Sequence, residues 1–393
     1  MKAFNTAGPC IPAIHYMADL TKRVQAIKAM IDAGKYFRIA RGHQYGKTTT
    51  LTALSMYLKA DYVFLMLDFQ SFGAGGFSDE GQFIKTFTRI VHKKISRLSD
   101  IGTDVCGIWK KLSDRSPESL RLDELQDAIE KLCSSSKLPV ILVIDEVDHA
   151  SDYQVFNSFL GMLRGAYILH AQDPSCPALQ SVILAGVTDI TAMHQKIRAD
   201  HAHTLNSPWN IAVPFTVRMS LDIDDISGML TEYEEDHQTG MDIRDIASLI
   251  YDYTDGYPYL VSRICQYLDE TLPYDKKFLS YGKPWSREGI AEAVRVIHSE
   301  DNMLFQSVMS KVQNSETLRN FIQAILFNGK EIAFDYDSPV LRDAEMYGLI
   351  KNRHNTVQIA NRIFETRLYD HFLNAAQLSD MLTNPLQLTD KKR

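Results

Sequence analysis

Gly46, Lys47 and Thr48 stand together after an apolar, β-prone run (Tyr36, Phe37, Ile39) and before a helix-like run from Thr49 to Leu54. Strand, loop, Gly-Lys-Thr and helix make the context of a phosphate-binding loop. Backbone N–H groups at the helix start point at phosphate oxygens, and the helix dipole favours the anion there. Lys47 would reach the β- and γ-phosphates, and the Thr48 hydroxyl would ligate Mg2+. The candidate cradle for ATP therefore runs Arg41, Gly42, His43, Gln44, Tyr45, Gly46, Lys47, Thr48 and Thr49. One position departs from the G-x-x-x-x-G-K-[ST] pattern. Its first glycine falls at 41, where this chain has Arg41 and places a glycine one residue later.

A second group of chemistry-bearing residues lies at Leu138–Asp148, LPVILVIDEVD. Val140 to Ile144 are consecutively apolar, which predicts a strand buried on both faces of a parallel sheet. The strand ends in Asp145-Glu146. In phosphate-loop ATPases such an Asp holds Mg2+ through water, and the following Glu polarises the attacking water. Asp145 joins Thr48 as a candidate metal ligand, and Glu146 is the candidate base. A carboxylate directly after the Asp points to hydrolysis rather than group transfer.

These residues need elements to position them. Leu20–Ala33 is amphipathic, with Val24, Ile27, Met30 and Ile31 at helical spacing. Asp61–Gln70 holds a second buried strand, and Phe77–Leu98 reads as a long helix. Gly102–Ser119 reads as loop-rich, Leu120–Cys133 and Tyr153–Leu169 as helices, Gln180–Val187 as another buried strand, and Pro214–Leu221 as a weaker one. Alternation of buried strands with helices predicts a parallel sheet covered on both faces, with ligands at the C-terminal strand ends. Lys47, Asp145 and Thr188-Asp189 all fall just beyond such ends. Thr188 is either a polar sensor of the γ-phosphate or part of a cap for the next helix.

From Asp222 the period changes to short helices, at Asp224–Tyr233, Asp242–Tyr253 and Pro258–Leu268, the size of a lid over a nucleotide. Pro258 sits near the first position of its helix, where a missing N–H does no harm. A connector follows, with a helix at 286–299. Residues 301–375 read as a small α+β domain of helices, a hairpin with the polar tip Lys351 to Thr356, and a closing helix from Asn361 to Leu373. The expected division is 1–221 for a core with its lead-in, 222–300 for lid and connector, 301–375 for the winged-helix-like domain, and 376–393 for a frayed tail.

The 393 residues, 45% hydrophobic and 23% charged, are ordinary for a soluble chain. No apolar run approaches a membrane span, and the N-terminus lacks the apolar core of a secretion signal. Five scattered cysteines match no zinc spacing, and His201 and His203 read as solvated. These features point to a cytoplasmic protein. A net charge of −7 makes no global case for nucleic acid.

The chain resembles bacterial AAA-like ATPases related to the archaeal-type and STAND-class phosphate-loop ATPases. The resemblance rests on Gly8-Pro9-Cys10, Tyr45-Gly46-Lys47-Thr48-Thr49-Thr50, Leu67-Asp68-Phe69-Gln70, Val143-Ile144-Asp145-Glu146, Leu184-Ala185-Gly186-Val187, Asn206 to Ala212, Gly256-Tyr257-Pro258-Tyr259-Leu260-Val261 and Asn361-Arg362-Ile363-Phe364-Glu365. It implies an ASCE-type α/β phosphate-loop core, a helical lid and a C-terminal winged-helix-like domain. It also implies that Pro258 faces the nucleotide, that Tyr16 and Met17 lie near adenine, that Arg263 resembles a sensor-2 arginine, and that Arg198 stands where an arginine finger for a neighbouring subunit is often found.

The leading reading is therefore a Mg2+-dependent, ATP-hydrolysing switch that acts through a protein partner, with a homo-oligomer open. The rival is an ATP-regulated DNA-binding protein using the winged helix. Residues 301–393 hold eleven Lys or Arg and eleven Asp or Glu, so no basic excess favours DNA. Lys351, Arg353, Arg362 and Arg367 keep the rival open.

Overall fold

Every residue of β5 (Val140–Asp145) is buried, and so is every residue of β6 (Ser181–Gly186). Strands apolar on both faces need cover above and below, which crossover helices provide in parallel sheets. The computed structural model, which describes residues 2–187, 209–280, 282–329 and 331–383, shows that arrangement. β3 (Phe37–Ala40), β6, β5 and β4 (Val63–Asp68) lie side by side in that order, all parallel. β6 thus lies between the strand that feeds the Gly-Lys-Thr loop and the strand that ends in Asp145. The flanking helices are α1 (Thr21–Asp32), α2 (Lys47–Leu58), α3 (Glu80–Ile95), α4 (Thr103–Asp114), α5 (Leu122–Ser135) and α6 (Gln154–Gln172).

The chain divides into two units. One, the sheet unit, comprises Leu20–Gly42 and Lys47–Met219; the other, the helical unit, comprises Met1–Asp19, His43–Gly46 and Ser220–Arg393. The sheet unit's core is aromatic. Phe83 touches Phe69 at 6.2 Å, Phe87 at 5.8 Å and Phe159 at 5.2 Å between ring centroids. Each such buried ring contributes about 1.5–3 kcal/mol from area alone.

Two sequence expectations fail here. Residues 102–119, read as loop-rich, contain α4, which buries Val105, Trp109 and Leu112 at i, i+4, i+7. Gly107 in its middle and Pro117 beyond it masked that period. Pro214–Leu221, read as a weaker strand, forms none; the isolated parallel bridge beside it, Phe37 to Val213, ends just before Pro214. Pro214 has no N–H to continue the ladder.

The helical unit opens with two short parallel strands, β1 (Ala3–Phe4) and β2 (His15–Tyr16). Helices Ile223–His237, Ile243–Thr254, Pro258–Glu270 and Arg287–Ser299 follow. Asp222 and Asp225 form a reciprocal capping box at the first of these. Gly256, φ +70°, makes the turn into the third; a Cβ there would run into the Leu221 carbonyl. The winged-helix-like part contains helices Met303–Asn314, Glu316–Asn328 and Pro339–Met346, then the antiparallel pair β7 (Ile350–Arg353) and β8 (Thr356–Ile359). His354 and Asn355, both with φ above +50°, form the two-residue hairpin loop that strand twist favours. The closing helix runs from Arg362 to Thr383, ten residues past the predicted end.

Candidate functional site

In the sheet unit, β3 ends at Ala40 and α2 begins at Lys47. The Lys47 side chain is 5% exposed, and its Nζ donates to the carbonyls of Arg41 at 3.0 Å and Gly42 at 3.1 Å. Burial lowers its pKa, opposed by Glu146, Asp145 and Asp148 in that order. The two carbonyls accept from the buried ammonium, and the three carboxylates offset part of the cost of its burial.

Thr48 Oγ1 donates to Asp145 Oδ2 at 2.8 Å, joining residues 97 apart in the chain. The other Asp145 oxygen accepts from Glu146 N at 3.0 Å. Burial raises the pKa of Asp145, opposed by Thr48, the Glu146 N–H and Lys47. Burial also raises that of Glu146, with Lys47 pulling the other way. Glu146 lies in the left-handed region, φ 53° and ψ 44°. A side chain bearing a Cβ is held there at a cost on the order of 1–3 kcal/mol, a strain that gathers at functional sites.

Arg41, where the phosphate-loop pattern has glycine, takes no positive φ, whereas Gln44 (56°) and Gly46 (78°) do. Position 41 therefore places no demand that only glycine meets. The Arg41 N–H donates to Gly186 O at 3.1 Å, and its guanidinium lies over Phe215 at 5.9 Å. Thr49 follows in the first turn of α2.

The middle of the loop, His43–Gly46, belongs to the helical unit. The Tyr257 hydroxyl donates to His43 O. The Tyr45 ring meets the Tyr257 ring edge-on at 4.7 Å, and a Cβ on Gly46 would stand 3.9 Å from the Pro258 ring. Elsewhere in this unit, Tyr16 is fully buried beside Phe4 and Tyr233, and its hydroxyl donates to Asp236 at 2.7 Å. Met17 is half-buried. Arg263 pairs with Glu300 through Nη2 at 2.6 Å and Nε at 3.3 Å. Thr188 and Arg198 lie outside the described residues.

Sequence reasoning passed over two residues. Tyr257 sat unremarked between Gly256 and Pro258. Asp148, the third acid of Asp-Glu-Val-Asp, accepts from Val187 N at 2.6 Å. The signal for it was the acid itself, three residues past Asp145, but only the strand order says what it meets.

A model of the AAA-like domain family matches residues 12–374. Among proteins with curated descriptions, none matches this chain in sequence. Among solved structures, the Walker-type ATPase PABY2304 of Pyrococcus abyssi superposes with a TM-score of 0.60 at 15% identity, covering 93% of this chain and 99% of the other. The ORC2 protein of Aeropyrum pernix gives 0.45 at 11% identity over 90% of this chain and 95% of its own. A RuvB mutant of Thermotoga maritima gives 0.38 at 10%, over 88% and 94%. The first shows a shared fold; the weaker two carry no further argument. No helix among the described residues is long and apolar enough to cross a membrane.

Proposed function

The chain belongs to the AAA-like domain family, and on that premise we propose that it is a Mg2+-dependent ATPase working as a switch on a protein partner. The observation that carries this reading is the Thr48–Asp145 contact at 2.8 Å, with Glu146 next in the chain. A hydroxyl and a carboxylate are hard oxygen donors that suit Mg2+, which keeps waters and takes phosphate oxygens for its remaining positions. The bound ion would supply charge neutralisation at the β- and γ-oxygens.

The chain's own residues do the rest. Lys47 lays its ammonium against the phosphates, and the N–H groups at the start of α2 face them. Thr48 and Asp145 would hold the cation. Glu146 orients a water and takes its proton. Pro258 and Tyr257 meet the middle of the loop within the helical unit, and in the proposal Pro258 is the residue of the 222–300 lid that faces the nucleotide. A phosphate-sensing role for Arg263 requires it to leave Glu300. Thr188 as sensor, Arg198 as a finger in a homo-oligomer, Tyr16 and Met17 near the base, and a cytoplasmic location complete the proposal. The test is phosphate release with and without Mg2+, together with calorimetric titration of ATP. A wild-type protein that binds no nucleotide would end it.

The DNA-binding rival turns on four cations of residues 301–375. Lys351 Nζ pairs with Asp255 at 2.6 Å, and Arg362 lies over Tyr253 at 5.9 Å. Arg367 donates to His298 O and lies over Phe305 at 4.1 Å. Three of the four are thus engaged by residues of the same unit, which favours contacts within the protein over phosphate contacts.

A further inference from the structure

The ladder between β5 and β6 stops at Ile144 opposite Leu184. Past that pair the two strands no longer exchange backbone hydrogen bonds, although β6 stays paired with β3 as far as Ala40 opposite Gly186. Asp145 stays paired with Asp68 of β4, and Glu146 and the turn Val147–Ala150 then continue past the end of the β5–β6 register. Asp148 fills that gap. Its Oδ2 accepts from Val187 N at 2.6 Å. Its own carbonyl accepts from Ser151 Oγ at 2.6 Å, and the Glu146 carbonyl accepts from His149 N at 3.2 Å, so the turn closes on itself. Gly186 leaves the space: a Cβ there would stand 2.6 Å from Asp148 Oδ2 and 2.8 Å from Val147 Cγ2.

Followed onward, the contact completes a circuit. Lys47 Nζ donates to Arg41 O, Arg41 N to Gly186 O, and Val187 N to Asp148. At the end of β5, just before the Asp148 turn, Asp145 accepts from Thr48, the neighbour of Lys47. One side chain in this circuit neither contacts phosphate nor ligates metal in the proposed reaction, and it holds the turn in which Glu146 adopts its left-handed conformation.

We propose that Asp148 is a positioning residue for hydrolysis, tying the end of β6 to the acidic turn so that Glu146 keeps its aim. This rests on the ATPase reading above. Three variants test it. Asp148→Ala removes the acceptor, and Gly186→Ala crowds the same contact from the other strand. Asp148→Asn keeps an amide oxygen that can still accept from Val187 N–H. Expected for Asp148→Ala and Gly186→Ala is a fall in kcat of about 10–100-fold, the scale on which misplacement of a reacting group acts. ATP affinity stays within about threefold, because the loss is confined to the transition state. Asp148→Asn keeps kcat within about threefold of wild type.

Amide exchange over 181–187 supplies a readout independent of turnover: faster exchange at Val187 in Asp148→Ala, wild-type protection in Asp148→Asn. Equal kcat for Asp148→Ala and wild type overturns the proposal, as does an equal loss in Asp148→Ala and Asp148→Asn, or a loss seen only in affinity. A wild type that never turns over ATP removes the ATPase reading and this role with it. The exchange pattern then still reports whether the tie exists, so the two failures are told apart.

Discussion

Glu146 separates a requirement of chemistry from a requirement of folding, because its two properties pull in opposite directions. Its carboxylate follows Asp145 in the site, and its backbone sits at φ 53°. Glu146→Gln keeps the shape and the backbone cost but cannot accept a proton. Loss of a general base costs about 10²–10⁴-fold in turnover, or about 3–5 kcal/mol of barrier. ATP affinity should hold, since Lys47, Thr48 and Asp145 are untouched. Glu146→Asn removes the base too, but asparagine tolerates the left-handed region better than glutamate. Recovering about 1 kcal/mol of the backbone strain should raise the melting transition of this unit by about 2–4 °C. The assay is a pair of measurements on each variant: single-turnover hydrolysis, and thermal melting without nucleotide. Wild-type turnover in Glu146→Gln means that another group activates the water. A lower melting point in Glu146→Asn means that the left-handed conformation is not strained, and the argument from strain fails.

Other outcomes follow from other contacts. Lys47→Ala removes the ammonium at the phosphate site and should abolish ATP binding; calorimetry giving equal affinities for variant and wild type sinks the loop assignment. Chelating Mg2+ should stop turnover in the wild type, because the cation proposed for Thr48 and Asp145 is then withdrawn; hydrolysis that persists in excess chelator contradicts this. Gly256→Ala drives a Cβ into the Leu221 carbonyl and should destabilise by at least about 3 kcal/mol, whereas Gly240→Ala, φ +76° with open space around it, should cost only about 1 kcal/mol. Similar melting points for these two variants would falsify the close-approach argument. Duplex DNA should bind weakly, if at all, at moderate salt; sub-micromolar, salt-sensitive binding lost in a Lys351→Ala, Arg353→Ala double variant would promote the DNA-binding reading.

What could be read from the sequence was what is written locally. Gly46-Lys47-Thr48 and Asp145-Glu146 announce themselves because each motif is contiguous and sits at a strand end. The buried strands were legible for the same reason: Val140 to Ile144 leaves no polar residue to face solvent. Helix α4 was missed because Gly107 interrupts the apolar period that Trp109 and Leu112 continue. What sequence could not supply was pairing at a distance. Asp148 meets Val187 across 39 residues, and Tyr257 meets His43 across 214. Both contacts follow from which elements become neighbours, and a local period carries no information about that.

The departure at Arg41 illustrates how a motif should be weighed once the backbone is known. A glycine in such a loop is needed where φ is positive or where another chain comes too close for a Cβ. Position 41 meets neither condition: its φ is ordinary, and its N–H donates to Gly186 O while its carbonyl accepts from Lys47. Both backbone groups are used, and neither use involves the side chain. The arginine can therefore leave toward Phe215 without disturbing the loop. The positive φ values fall instead on Gln44 and Gly46, and of these only Gly46 coincides with the motif. The requirement that survives in this chain is thus the glycine before Lys47. A Cβ there would stand 3.9 Å from the Pro258 ring in the helical unit, so a side chain at 46 would meet both a left-handed backbone and the proline ring. A Gly46→Ala substitution should accordingly impair the loop more than Arg41→Gly does. Binding of ATP by both variants orders them directly: if Arg41→Gly proves the more damaging, the arginine side chain has a role that its backbone geometry does not reveal.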